Sequence, residues 1–244
     1  MRIVGIDTAT SSASVALIDS GRLISEKTYP DRKGLGARSG RNGKGNHAET
    51  LLPLIESLFE GTETSLPDVS GLALSIGPGS FTGLRVGLST VKGLAYGWQI
   101  PVVGVSTLWA HAARVSDYEG LICALLDARK DELYAALFRR TGEVVQRVTK
   151  DTLGSATTVT EMIRGFQRGA PCLLVGDGAE VYERFPSDLA GVRFFDEADG
   201  PTVAATVARL SEARFRSKEV DDLGALSPVY IRPSEAEFKR KSLL

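Results

Sequence analysis

The order of extended and helical segments repeats once along this chain, and that repeat constrains the fold more than any single motif. Arg2 to Asp7, Ala13 to Asp19 and Arg22 to Tyr29 read as three strands, the last two joined by Ser20-Gly21, a tight-turn pair. A helix over residues 47–59, a strand over Gly71 to Ile76, a helix from Phe81, a strand over Ile100 to Val105 and a helix over Ser106 to Val115 follow. The second half begins again with strands at Leu121 to Asp127, Glu132 to Phe138 and Val144 to Lys150. A helix at Ala156 to Phe166, a strand at Cys172 to Val175, a short helix near Glu180 to Phe185, a strand at Val192 to Phe195 and a periodic helix at Thr202 to Arg216 complete it. The pattern βββαβαβα thus occurs twice, with a joint near Tyr118 to Gly120. It is a repeat of topology rather than of sequence, and it implies two α/β domains on mixed sheets, residues 1–118 and 119–244.

Composition narrows the function classes. Twenty-nine Lys and Arg against thirty Asp and Glu leave a net charge of −1, which argues against a nucleic-acid coat or a membrane-surface protein. Cys123 and Cys172 are too few for a disulfide framework and lack metal-type spacing. No apolar run approaches the ~18 residues of a membrane span, and MRIVGIDTAT does not read as an export leader. The expectation is a cytoplasmic protein. Residues 31–46 hold five glycines and five Lys or Arg, which predicts a loop unable to bury enough surface to order itself. Such a loop is either a solvated insertion or an arm that touches RNA phosphates.

Asn46 reads as the N-cap of HAETLLPLIESLF, with Glu49 at the capping-box position and Pro53 inside the helix. Leu51, Leu54 and Leu58 share one face; Ala48, Leu52, Ile55 and Phe59 share the next. The segment GPGSFTGLRVGLSTVKGLAYGW carries more information. As a helix from Phe81 it aligns Gly83, Gly87, Thr90, Leu94 and Gly97 on a nearly smooth face and Leu84, Leu88, Val91 and Ala95 on a bulky one. Arg85, Ser89, Lys92 and Tyr96 are left for water. Glycines 83, 87, 93 and 97 each cost roughly 1 kcal/mol relative to Ala in a helix, so close packing is expected to offset them. From Gly71 to Ser116 there is no Asp or Glu. A two-faced helix in so charge-poor a stretch serves either a deep core or a partner surface.

Two turns could carry chemistry. Asp7, Thr8, Thr10, Ser11 and Ser12 at the first hairpin could cradle a phosphate or hold a hydrated metal; equally, they could bond only to the local backbone. The corresponding turn of the second half, DARKDE, holds Asp127, Arg129, Lys130, Asp131 and Glu132 where close phosphate approach calls for glycine. Arg129 could still attract an anion by charge. His47 and His111 each lack a second ligand at helical spacing, so no metal site is expected. Nor does local spacing assemble a Ser–His–Asp set.

GIDTATSSASVAL, HAETLLPLI, GPGSFTGLRVGLSTVKGLA, LLDARKDELYAALF, LVGDGAEVY and SPVYIRPSEAE, taken in order, resemble the bacterial TsaB (YeaZ) family across nearly the whole chain. The resemblance implies two tandem ribonuclease H-like domains of the actin, Hsp70 and sugar kinase superfamily. It implies a non-catalytic sibling of TsaD, the subunit that transfers threonylcarbamoyl to the adenosine beside the anticodon in ANN-decoding tRNAs. TsaD-like sequences carry an HxxxH metal pair after the strand matched by VVGV; here Thr107 stands at the first place and only His111 remains. The glycine pair of their second turn is also missing from DARKDE.

The family partner is TsaD, gripped through the helices matched by 47–59 and 81–97. On this chain that implies contacts from His47, Leu51, Leu54, Leu58, Gly79, Ser80, Phe81, Thr82, Gly83, Arg85, Gly87, Thr90, Leu94 and Gly97. The ATPase TsaE joins the complex, a TsaC-type enzyme supplies the threonylcarbamoyl-adenylate, and tRNA is reached through the complex. No cofactor of its own is implied, though a nucleotide is expected near the subunit junction, and the free chain could pair with itself instead. Residues 31–46 depart from the family by their length. Two competing readings are an ATP-dependent small-molecule kinase or M22-type glycopeptidase, and an RNA-binding module using residues 32–44.

Overall fold

A computed structural model describes residues 1–30, 47–177, 191–195 and 200–232. The expected loop at 31–46, the Asn46 cap and the short helix at 180–185 lie outside the described residues. The first sheet comprises β1 (Arg2–Asp7), β2 (Ala13–Asp19), β3 (Arg22–Tyr29), β4 (Gly71–Ser75) and β5 (Val102–Val105), in the order β3-β2-β1-β4-β5. The first three strands form an antiparallel meander, while β4 and β5 run parallel to β1. Ser20 and Gly21 both take positive φ, 50° and 79°, as the tight turn between β2 and β3 requires.

The second sheet comprises β6 (Gly120–Asp127), β7 (Glu132–Thr141), β8 (Val144–Arg147), β9 (Thr152–Ser155), β10 (Cys172–Gly176) and β11 (Val192–Phe194). Its order is β11-β10-β6-β7-β8, with β9 also on β7. The strand expected at Val144 to Lys150 therefore ends at Arg147, and β9 beyond it is a strand the sequence analysis did not place. Val148 and Thr149 both donate to the Leu137 carbonyl, and Thr149 Oγ1 accepts from the Leu137 amide at 2.9 Å, which breaks the ladder between them.

Strand alternation sends Val4, Ile6, Val15 and Leu17 to one face of the first sheet, under α1 (His47–Leu58) and α2 (Phe81–Trp98). Ile3, Ile18, Ala73 and Val103 point the other way, against Val207, Ala208 and Phe215 of α5 (Val203–Arg216). This last helix comes from the second half of the sequence yet lies on the first sheet. Its Ala204 carbonyl lies so near Gly5 that a Cβ there would stand 2.0 Å away, so a smooth strand receives an alanine-rich helix. Conversely, α3 (Thr107–Ala113) covers the second sheet: Leu108 and Ala112 join Ile122, Ala124, Leu126 and Phe138. The opposite face of that sheet buries Leu121, Cys123, Leu125 and Leu137 under Val159 and Ile163 of α4 (Ala156–Gln167). Helices α3 and α5 touch, so the two sheets share a middle layer made of one helix from each half.

Candidate functional site

The first hairpin turn is where the two outer helices begin. Thr8 Oγ1 donates to the Gly83 carbonyl at 2.8 Å, Ser80 N donates to the Ala9 carbonyl at 2.7 Å, and His47 Nε2 donates to the Thr10 carbonyl at 3.0 Å. Ser80 caps α2 by accepting from Gly83 N at 3.2 Å. A Cβ on Gly79 would meet the Ala9 carbonyl at 2.4 Å, one on Gly83 the Thr8 carbonyl at 2.0 Å, and one on Gly87 the Thr8 hydroxyl at 2.4 Å. These glycines let α2 approach the turn to hydrogen-bonding distance. The turn's hydroxyl and carbonyl groups thereby hold α1 and α2, leaving Ser11 exposed at the tip.

Asp7 is buried at the end of β1, and Ala9 N reaches its carboxylate at 3.4 Å. Burial pushes the carboxyl above the usual carboxylate range, although neighbouring His111 and Arg114 oppose the rise. Arg129 sits exposed on the opposite turn, between β6 and β7. There Arg129, Lys130 and Asp131 all have left-handed φ, 60°, 54° and 59°, a conformation costing roughly 1–2 kcal/mol per non-glycine residue. Within that turn Ala128 N donates to the Glu132 carbonyl, Glu132 N to that of Arg129, and Arg129 N to the Asp127 carboxylate.

Among the described residues no three His, Cys, Asp or Glu side chains converge as metal ligands. His111 is buried on α3, and Thr107 Oγ1 accepts from Gly77 N at 3.0 Å, fixing the β4–α2 turn. Both cysteines are buried; burial pushes Cys172 up to about 12 and Cys123 well above the usual thiol range, so neither is a nucleophile near neutrality. No described helix is long and apolar enough to cross a membrane.

The smooth face of α2 divides in two. Gly83 and Gly87 are sealed inside this chain against Thr8, and Leu51 and Leu58 of α1 belong to the core of the first half. His47 is also buried, holding Thr10. These five residues, expected from the resemblance to touch a partner, are buried within this chain. Leu54, Thr90 and Leu94 are half-buried, whereas Phe81, Thr82, Arg85, Ser89, Gly93, Tyr96, Gly97 and Trp98 are exposed. A Cβ on Gly93 or Gly97 would meet nothing within 4 Å. The outward surface of α2 is thus open, low in charge and locally smooth. The sequence analysis counts Gly93 among the costly helical glycines but leaves it off the aligned row.

The family model described as TsaD: tRNA N6-adenosine threonylcarbamoyltransferase matches residues 41–226. The tRNA threonylcarbamoyladenosine biosynthesis protein TsaB of Bacillus subtilis is 30% identical over 98% of this chain and 97% of its own. Its namesake from Haemophilus influenzae is 35% identical over 98% and 97% of the two chains. Among solved structures, YeaZ from Pseudomonas aeruginosa superposes with a TM-score of 0.72 at 25% identity, covering 94% of this chain and 99% of that one.

Proposed function

This chain belongs to the TsaB (YeaZ) family, and from that premise we propose that it is a non-catalytic docking subunit for a TsaD-type transferase in threonylcarbamoyladenosine formation on tRNA. Its ribonuclease H-like halves place it among the actin-like folds. The observation carrying the proposal is the use made of the first turn. The Thr8 hydroxyl, a donor that a phosphate could use, and the Ala9 and Thr10 carbonyls are engaged with Gly83, Ser80 and His47. A turn engaged in this way anchors two helices.

What the turn anchors is a surface suited to a protein. Gly93 and Gly97 leave room for another helix to approach closely, while Tyr96 and Trp98 beside them are 77% and 49% exposed. Aromatic side chains around a smooth centre are the usual makings of a binding hot spot. We place TsaD on this face, using Thr82, Arg85, Thr90, Leu94 and Gly97 with Phe81 at its edge; two copies of the chain pair there when TsaD is absent. TsaE joins that assembly and a TsaC-type synthase supplies the adenylate, with tRNA bound by the complex as a whole.

The test is reconstitution. The purified chain by itself leaves tRNA unmodified, and adding it to TsaD, TsaE and the adenylate-making enzyme restores modification. Turnover of ATP, or tRNA modification by the chain alone, would overturn the proposal in favour of an enzyme.

A further inference from the structure

The two halves are joined by more than their middle helices. After α5 the chain stays on the first half as far as Leu226, which packs against that half's core. Four residues then cross over. Val229 N donates to the Ile76 carbonyl at 2.7 Å, and a Cβ on Gly77 would stand only 2.5 Å from the Val229 carbonyl oxygen. Tyr230 stacks on Phe81 with ring centroids 4.9 Å apart, and its hydroxyl accepts from Arg85 Nε at 3.0 Å. The Arg85 guanidinium lies 3.7 Å from the Phe81 ring centroid, so one cation serves both rings. Ile231 then packs against the core of the second half. Arg232 donates to the Ala128 carbonyl at 2.8 Å and pairs with Glu132.

Each end of this segment is fixed differently, and that difference has a consequence. At the first half the grip is a backbone hydrogen bond and an aromatic–cation stack on α2. At the second half, Arg232 brackets the turn whose tip residues Arg129, Lys130 and Asp131 are all left-handed. Strained turns persist only where their surroundings hold them. A segment tying residue 76 to residue 128 also opposes any hinge motion that would separate the β4–α2 turn from the β6–β7 turn.

We infer that Val229–Arg232 is a strap that restrains opening between the two halves, holding the β4–α2 turn and the β6–β7 turn at a fixed separation. This inference concerns the chain alone and stands whether or not a TsaD-type partner docks on α2. Hinge motions of packed domains are the default unless something opposes them, and here the strap adds that opposition to the α3–α5 contact.

The experiment uses the full chain with reporters on exposed positions of each half, Glu63→Cys and Glu161→Cys. The native thiols are buried, so labelling is selective. In the parent the label-to-label distance distribution is single and narrow. Tyr230→Ala/Arg232→Ala broadens it toward longer distances, and the Val229 amide exchanges about tenfold faster while amides in β1 and β6 keep their protection. Arg232→Lys, which keeps the charge but loses the forked donor, falls between the two. A double variant whose distance distribution superimposes on that of the parent overturns the inference, whatever the Val229 amide does.

Discussion

Gly83 lies so close to the first hairpin turn that a methyl group on its α-carbon would stand 2.0 Å from the Thr8 carbonyl oxygen. The Thr8 hydroxyl returns the contact by donating to the Gly83 carbonyl at 2.8 Å. Gly83→Ala must therefore push α2 off the turn or break that hydrogen bond. Overpacking of this kind costs about 1–3 kcal/mol. Urea unfolding is expected to show a lower midpoint at an unchanged slope. Gly87→Leu shares the expectation through the Thr8 hydroxyl; full stability in both variants would contradict the close approach described above.

Gly93 gives the opposite expectation. Nothing lies within 4 Å of its missing Cβ, and glycine is a poor helix former by roughly 1 kcal/mol. Gly93→Trp should leave the thermal midpoint unchanged or raise it. On the docking face a large ring blocks close approach, so association with a TsaD-type partner is expected to weaken about tenfold or more. Titration calorimetry with the partner decides it. Undiminished affinity moves the docking face off α2.

Asp7 makes stability depend on pH in a direction unusual for a carboxylate. Burial holds its folded-state pKa above the ordinary 3.8, so the folded chain retains the proton longer than the unfolded one. The folded state is favoured most below about 3.8 and loses that advantage as pH rises through the window up to the raised folded value. Asp7→Asn carries no such loss. The midpoint of the variant minus that of the parent should become more positive from acid to neutral pH, and a difference that stays flat would contradict the assignment.

Asp221 runs the other way. Burial alone would raise its pKa, but hydrogen bonds from Arg214 and the Gly104 amide outweigh burial and hold it below the ordinary range. Gly104 N reaches Asp221 Oδ2 at 2.7 Å and Arg214 Nη2 reaches Oδ1 at 2.8 Å. Its contribution is complete above the unfolded value and disappears as pH falls through the lowered folded one. Asp221→Asn is therefore expected to lower the urea midpoint at pH 7 and to match the parent in strong acid. The gap should also shrink in high salt, because the pair is partly exposed, with Arg214 at 37% and Asp221 at 28%. Equal loss at every pH would mean that the site acts through shape alone.

Strands β1, β2 and β3 occupy the spans their patterning predicts, since alternation and a Ser-Gly turn are local properties read within a few residues. The edge of the second sheet was less legible. That the strand expected at 144–150 stops at Arg147 depends on Thr149 meeting Leu137 from another strand, and β9, only four residues long with a glycine inside, has too little periodicity to announce itself. The candidate site was legible in part for the same reason: a row of glycines on a helix announces close packing but not the identity of what packs.

The amino-acid sequence alone determined the doubled α/β plan, the glycine-free second turn and the two-faced helix, because each follows from residues a few positions apart. Tertiary structure decided the rest. It put α5 on the first sheet through the fit of Ala204 to Gly5, roughly two hundred positions away in the chain. It also set Gly83 and Gly87 against Thr8 while leaving Gly93 and Gly97 open. Helical spacing places all four on α2, but only the position of the first hairpin turn, which contacts the helix's first two turns and not its last, separates the buried pair from the exposed one.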